Sequence, residues 1–191
     1  MVVSSQPHWP RVIGEIGKPL VVIVAFAFGI SLFHKLHPAF RFVALPALPI
    51  SIFGGAVGIF LGFRTNSAYG RWWEARKLWG ALINQSRSWA RQISSFLPDP
   101  DERQELIYLQ IAFVHALHYH LRQQAPWSEI NKLLPAGMEA DLRRQKNIPA
   151  AILHSMGARV TALSDIGQIS ELRLQRLDTT LSELTNVQGG C

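Results

Sequence analysis

The sequence is poor in cysteine and in charged residues, and each shortage excludes a class of protein. Its one cysteine is Cys191, so the chain can form neither an internal disulfide framework nor a zinc site built on several thiolates. Charged residues make up 17% of its 191 residues, well below the roughly 25% of a typical soluble domain. Hydrophobic residues reach 48% and the mean hydropathy is +0.12, which excludes a disordered chain. The composition therefore favours a membrane protein of one or two domains.

Signatures of catalysis and of metal binding are also missing. The segment HALHYH holds His115, His118 and His120, but no Asp, Glu or Cys stands close by to complete a metal site, and no HExxH motif occurs. The chain contains neither a GxSxG nucleophile motif nor a phosphate-binding loop. We therefore expect no enzyme activity, no metal and no cofactor, with the histidines in core or surface roles.

Two long uncharged segments lie in the first third of the chain. The 21 residues Val43–Phe63 carry no charge and, as a helix, would reach about 30 Å, the thickness of a bilayer core. The run Leu20–Phe33 is shorter and needs a helix that extends back through Pro19 and Lys18 to about Ile13 to cross a membrane. With the short linker His34–Phe42 between them, they predict a membrane helical hairpin. A soluble core helix and, for the first segment, a signal peptide are the alternatives.

The basic residues that follow the second segment predict its orientation. Positive charge is concentrated on the cytoplasmic side of membrane proteins, and the linker carries only Lys35 and Arg41. We therefore expect a cytoplasmic C-terminal part and, with two crossings, a cytoplasmic N-terminus in a bacterial inner membrane. The basic residues after the second segment are Arg64, Arg71, Arg76, Lys77, Arg87 and Arg91.

Beyond Phe63 the pattern is helical, with breaks where Pro and Gly cluster. No run of alternating β-branched residues predicts a sheet, so the fold class is all-α, with a membrane part at 1–63 and a cytoplasmic helical region at 64–191. We expect a continuation of the second span over Arg64–Phe96, a turn at Leu97–Glu102, a helix to about Gln123, a loop with one short helical piece around Pro126, Pro135 and Gly137, and helices at Pro149–Leu163 and from Ser170, as N-cap, to Val187.

Glycine recurs every four residues in the second span. Gly54, Gly58 and Gly62 share one helix face, which lets another backbone approach closely. A second stripe, formed by Gly55, Ile59 and Phe63, runs beside it with bulky apolar residues one turn apart. Ordinary helix–helix packing, with every apolar residue facing lipid or a neighbouring helix, accounts for this spacing. So does a bundle in which the glycine face packs against another helix and the bulky apolar edge does not.

Aromatic and basic residues alternate just after the span. Four of the six tryptophans fall within 18 residues. Such a mixture is typical of a membrane interface, with rings at head-group depth and cations facing anionic lipid. A nucleic-acid surface is the weaker interpretation, although the isoelectric point of about 10.0 fits it; a basic lining for a passage is a third. The aromatic residues are Tyr69, Trp72, Trp73, Trp79 and Trp89.

The stretch Ile59–Gly80, IFLGFRTNSAYGRWWEARKLWG, resembles the bestrophin family and in particular its bacterial members. The resemblance rests on Gly62-Phe63-Arg64, Asn66, Tyr69 and the segment Arg71–Gly80, and it extends more loosely along the whole chain. It implies a pentameric ion channel with one axial pore and a neck of bulky apolar residues on the second membrane helix.

Carried over by this resemblance, the neck falls on Ile59 and Phe63, with Gly55 one turn earlier. The family has a bulky residue at the position of Gly55. Either the neck is wider at that level, or the alignment of this helix with the family is shifted. A second, cytoplasmic constriction falls near Ile169 or Leu172. Arg71, Trp72, Trp73 and Arg76 would anchor the helix at the interface. There the two arginines would pair with carboxylates, of which Glu74 is the nearest, or with lipid phosphate, and would not coordinate the permeant ion.

The resemblance also implies four membrane segments, of which this sequence shows two, so we expect a truncated product or a fragment. The preferred function is a channel subunit passing small monovalent ions; the resemblance implies chloride from the eukaryotic relatives and cations from the bacterial ones, and the sequence does not decide between them. The alternative is a membrane-anchored helical interaction protein without channel activity. The expected partners are the lipid bilayer, further copies of the chain and small monovalent ions, with no nucleic acid.

Overall fold

A computed structural model of the chain describes residues 9–37 and 47–191. The chain divides into two compact units, Met1–Arg64 and Thr65–Cys191. Throughout the described residues the regular structure is helical and no strand occurs. The all-α prediction is therefore confirmed.

The first unit contains α1, which runs over Trp9–Leu36, and the beginning of α2, which runs over Ala47–Phe96. Helix α1 passes through Pro19, as the short apolar run Leu20–Phe33 required. Helix α2 is one unbroken helix of 50 residues, which confirms that Arg64–Phe96 continues the second apolar segment. Most of the linker His34–Phe42, and the first four residues of Val43–Phe63, lie outside the described residues, so the hairpin stays a prediction.

The second unit continues with α3, Pro100–Leu121. Asp99 caps this helix by accepting a hydrogen bond from the Asp101 amide at 2.9 Å, and Pro100 occupies the first turn, where its missing N–H costs nothing. These two residues start the helix inside the segment that was expected to be a turn. Only residues 97–99 lie outside both helices.

The loop region forms more local structure than one helical piece. It contains α4 (Trp127–Ile130), a 3-10 turn (Asn131–Leu133) and α5 (Met138–Leu142). Gly137 starts α5 with a φ of 86°, a backbone conformation that glycine adopts without the usual steric penalty. Proline and glycine thus divide this region into short helical turns.

Helices α6 and α7 complete the unit. Helix α6, Ile148–Asp165, is capped by Asn147, which accepts a hydrogen bond from the Ala150 amide at 3.1 Å. Helix α7 runs over Glu171–Gly190. Ser170 occupies its N-cap position as predicted, but its side chain makes no capping hydrogen bond.

The core of the second unit lies between the last turns of α2 and helices α3, α6 and α7. Each helix contributes apolar residues at helical spacing, so that one face of each is withdrawn from water. Packing around large side chains such as Trp89 and Phe113, which are fully buried, therefore stabilises a helical bundle. Other buried members are Leu82, Ile93, Leu106, Leu117, Ile152, Met156, Leu163, Leu177 and Leu184.

Candidate pore-lining helix and membrane interface

The apolar stripe of α2 is open along its whole length. Ile59 and Phe63 lie one turn apart with 63% and 67% of their surface exposed. A Cβ added at Gly55 would meet no atom within 4 Å, and the same holds for Gly54 and Gly58. Within the described chain neither the glycine face nor the apolar edge is covered, so both are available to other molecules.

Among the described residues, one helix is long and apolar enough to cross a bilayer: Ile16–Leu36 in α1, with a mean hydropathy of 2.1 and none of that window buried. Only the described residues enter this comparison, and residues 43–46 of the segment Val43–Phe63 lie outside them. In α2, Ala47–Phe63 nonetheless carries no charge.

Tyr69, Trp72, Trp73 and Arg76 form a cluster on one side of α2, which we call the α2 aromatic cluster. The Tyr69 and Trp73 rings stack with an interplanar angle of 7° and centroids 6.4 Å apart. The Arg76 guanidinium carbon lies over the Trp72 ring, 5.9 Å from its centroid. The three aromatic side chains remain about half exposed, at 57%, 54% and 46% in chain order. The cluster thus presents apolar ring surface with a cation at one edge.

The acid expected to pair with these arginines has another partner. Glu74 forms an ion pair with Lys77 at 2.5 Å, one helical turn further along. No ion pair joins a carboxylate to Arg71 or Arg76 among the described residues. Of the two partners expected for these arginines, the carboxylate of Glu74 is therefore taken by Lys77, whose spacing suits a local helical pair, and lipid phosphate stays a prediction.

Two of the tryptophans grouped with the interface belong to the core. Trp89 is fully buried and donates a hydrogen bond from Nε1 to the carbonyl oxygen of Leu106 at 3.2 Å. Trp79 is partly buried against the same core. The sequence did not separate the exposed from the buried tryptophans, because they follow one another along the same helix. The exposed aromatic residues of α2 end at Trp73, and the helix begins to pack in the bundle near Trp79.

The two residues considered for a cytoplasmic constriction lie in different surroundings. Ile169 is 3% exposed and packs in the core, whereas Leu172, at the start of α7, is 68% exposed. Ile166, the C-cap residue directly after α6, was not predicted from the sequence and is also 68% exposed. The available signal was the glycine that follows it, Gly167, whose φ of 75° is typical of the end of a helix.

The histidines of α3 do not converge on a metal site. His115 and His118 are half-buried and His120 is exposed; the His118 ring meets Tyr119 edge-on at 5.2 Å. Within residues 9–37 and 47–191, no three His, Cys, Asp or Glu side chains gather as metal ligands would. The described chain therefore offers no set of residues that fits a metal ion.

Comparison with known proteins decides the family. The sequence model of the Bacterial/Fungal Bestrophin protein family matches residues 6–191. The chain belongs to the bestrophin family. This confirms the resemblance drawn from Ile59–Gly80, and the all-α architecture agrees with it.

Solved structures of bestrophin homologues share the fold of the chain, and curated relatives share its sequence. A crystal structure of a bacterial bestrophin homolog from Klebsiella pneumoniae superposes with a TM-score of 0.86 at 29% identity, covering 93% of this chain and 66% of that one. The voltage-dependent anion channel-forming protein of Ralstonia nicotianae is 35% identical over all of this chain and 66% of its own length. The protein of that description named YneE, from Escherichia coli K12, is 37% identical over all of this chain and 65% of its own length. The bestrophin chain described here thus spans just under two thirds of these relatives.

Proposed function

We propose that this bestrophin chain is a subunit of an ion channel that passes small monovalent ions across a bacterial inner membrane. The observation that carries the proposal is the exposed pair Ile59 and Phe63, one turn apart on the charge-free part of α2. An apolar edge of this kind has no partner within the described chain, and a ring of copies would bring such edges together around an axis. Its activity is conduction down a gradient, and the chain is not an enzyme.

The mechanism follows from the apolar character of the edge. A ring of five α2 helices would surround the pore with Ile59 and Phe63, and a narrow apolar passage excludes water until it widens. Such a constriction gates flow without any charged group of its own. Gly55, one turn earlier, adds no side chain, so the passage is wider at its level.

The sign of the ion is proposed from charge and from the relatives. Helix α2 carries six basic residues and a single acid, Glu74, and a positive potential raises the local concentration of anions. The relatives from Ralstonia and Escherichia are named anion channel-forming proteins. Both arguments favour chloride-like anions over cations for this chain.

The proposed topology has two crossings with both ends in the cytoplasm. Helix α1 supports the first crossing through its exposed, apolar window Ile16–Leu36, in which the charged residues Lys18 and Lys35 lie near the two ends. Ala47–Phe63 of α2 would supply the second, and the basic residues that follow it favour the cytoplasmic side. Arg71, Trp72, Trp73 and Arg76 would hold α2 at head-group depth.

The cytoplasmic constriction is proposed at Leu172. A residue that narrows a pore must reach the open space of that pore, and Leu172 is 68% exposed whereas Ile169 is enclosed in the core. Ile166 has the same exposure and lies at the same corner, so the two side chains together would form the second apolar ring.

The mass of the detergent-solubilised particle tests assembly. A pentamer gives about 107 kDa of protein, five times the 21.4 kDa of one chain, when light scattering is corrected for bound detergent. A monomer or dimer contradicts the proposed ring and favours a membrane-anchored interaction protein, in which α1 and the start of α2 anchor the helical bundle.

A further inference from the structure

We propose that the α2 aromatic cluster, Tyr69, Trp72, Trp73 and Arg76, binds the phosphate of an anionic phospholipid. The inference rests on the proposed membrane crossing and adds the class of lipid that α2 recognises. It predicts a preference for phosphatidylglycerol over phosphatidylcholine that depends on Arg76, beyond the general attraction of a basic protein to a negative surface.

Arg76 is positioned as a phosphate ligand. One face of its guanidinium lies over the Trp72 ring at 5.9 Å, which restricts the side chain and leaves its N–H edge free. No carboxylate in the described part of the chain pairs with it. A planar guanidinium offers paired donors that match phosphate oxygens, so Arg76 lacks an anionic partner and is prepared to take one.

The surrounding charges would repel a cation and attract an anion. Glu74, the one acid of α2, is already paired with Lys77 at 2.5 Å. Arg71 lies within one and a half turns of Arg76 and is exposed. Pairing within the helix therefore cancels the only nearby negative charge, and Arg71 and Arg76 leave a net positive field.

The aromatic residues favour a lipid over a soluble anion. The three rings keep about half of their surface exposed, and amphipathic rings of this kind are enriched at head-group depth. Tyr69 follows the last residue of the charge-free run, Phe63, by six positions, which is under two helical turns. A phospholipid offers its phosphate to the guanidinium and its apolar part to the aromatic rings. Free phosphate can bind only the guanidinium.

Quenching of tryptophan fluorescence by brominated lipids tests this selectivity. The purified chain is reconstituted into vesicles that mix phosphatidylglycerol and phosphatidylcholine, with either one brominated, and the relative association constant is obtained from the two quenching curves. One basic residue near an anionic surface contributes a factor of about five in binding. We expect about a fivefold preference for phosphatidylglycerol and its loss in Arg76→Gln.

Arg91→Gln is the matched control, because Arg91 is an exposed arginine of the same helix outside the cluster. It should keep the preference, and Trp72→Leu should lose part of it. Inorganic phosphate at millimolar concentration should leave the preference unchanged.

Four outcomes would overturn the proposal. Equal quenching by both lipids excludes selectivity, and equal loss in Arg91→Gln and Arg76→Gln shows a diffuse charge effect. Displacement by inorganic phosphate shows a free-anion site. Absence of quenching by either lipid contradicts the membrane crossing itself, and this proposal with it.

Discussion

Thr180 on α7 donates a hydrogen bond from Oγ1 to Oε1 of Gln92 on α2, at 2.9 Å, and both side chains are buried. The two residues are 88 positions apart in sequence. A buried amide oxygen without a donor is costly, so this bond favours one alignment of α7 against α2. It thereby fixes the register of the helix that carries Leu172 at its start.

Replacing Thr180 by valine should destabilise the second unit. Valine keeps the shape of threonine but leaves the Gln92 oxygen buried without its donor, a loss of about 1–3 kcal/mol in the free energy of unfolding. Urea denaturation followed by tryptophan fluorescence in detergent measures it. Thr179→Val is the control, because the Thr179 hydroxyl is exposed and bonds only to its own helix, at Gln175; equal losses in the two variants would contradict the account.

The ion pair between Arg159 on α6 and Glu102 on α3 should contribute more to stability than the local pair on α2. The Arg159 guanidinium donates two hydrogen bonds to the Glu102 carboxylate, whose side chain is 16% exposed. Glu102→Gln should therefore reduce the free energy of unfolding by about 1–2 kcal/mol.

Glu74→Gln provides the comparison for that variant. Glu74 and Lys77 are 58% and 55% exposed, and exposed pairs contribute little, so the change should stay within about 0.5 kcal/mol. The same urea titration applies to both variants. A larger loss in Glu74→Gln than in Glu102→Gln would mean that the α3–α6 contact contributes no more than a surface pair.

Local sequence signals predicted which segments form helices, although the expected turn Leu97–Glu102 placed the start of α3 three residues late. The ends of the helices are set by local chemistry. Asp99 with Pro100 starts α3, Asn147 starts α6, and the unbroken α2 follows from the absence of proline after Pro49. The family, too, could be predicted from one stretch of sequence, Ile59–Gly80. These features depend on neighbours within a few residues.

Burial depended on long-range packing and was harder to predict. Trp73 and Trp89 share a helix and a basic neighbourhood, yet one is 46% exposed and the other fully buried, since α2 packs against the core only from about Trp79 onward. Ile169 and Leu172 are likewise three residues apart, yet Ile169 packs in the core and Leu172 is 68% exposed. Neither contrast is encoded in residue type or spacing.

Membrane association is the most basic prediction of the topology. When the chain is expressed in bacteria, it should remain in the membrane fraction after a carbonate wash, because a long apolar helix such as Ile16–Leu36 partitions into lipid. Recovery in the soluble fraction without detergent, with salt-sensitive binding to nucleic acid, would contradict it and restore the nucleic-acid interpretation.

Leu172 and Ile169 should respond differently to the same truncation. Ile169→Ala removes a core side chain and should lower the free energy of unfolding by about 2–4 kcal/mol. Leu172→Ala should leave stability within about 0.5 kcal/mol, since the side chain is exposed, and should change ion flux instead. Urea titration and a liposome flux assay distinguish the two effects, and a stable Leu172→Ala with unchanged flux would exclude a constriction there.

The most direct test of the channel account is ion flux through liposomes containing the Ile59→Ala/Phe63→Ala double variant. Smaller side chains widen and wet an apolar neck, so chloride efflux, followed with an electrode, should rise severalfold above that of the unmodified chain. Phe60→Ala removes a side chain of the same kind from a residue 74% exposed on the same helix and should leave the rate unchanged. Equal efflux from the double variant and the unmodified chain would contradict a neck at Ile59 and Phe63.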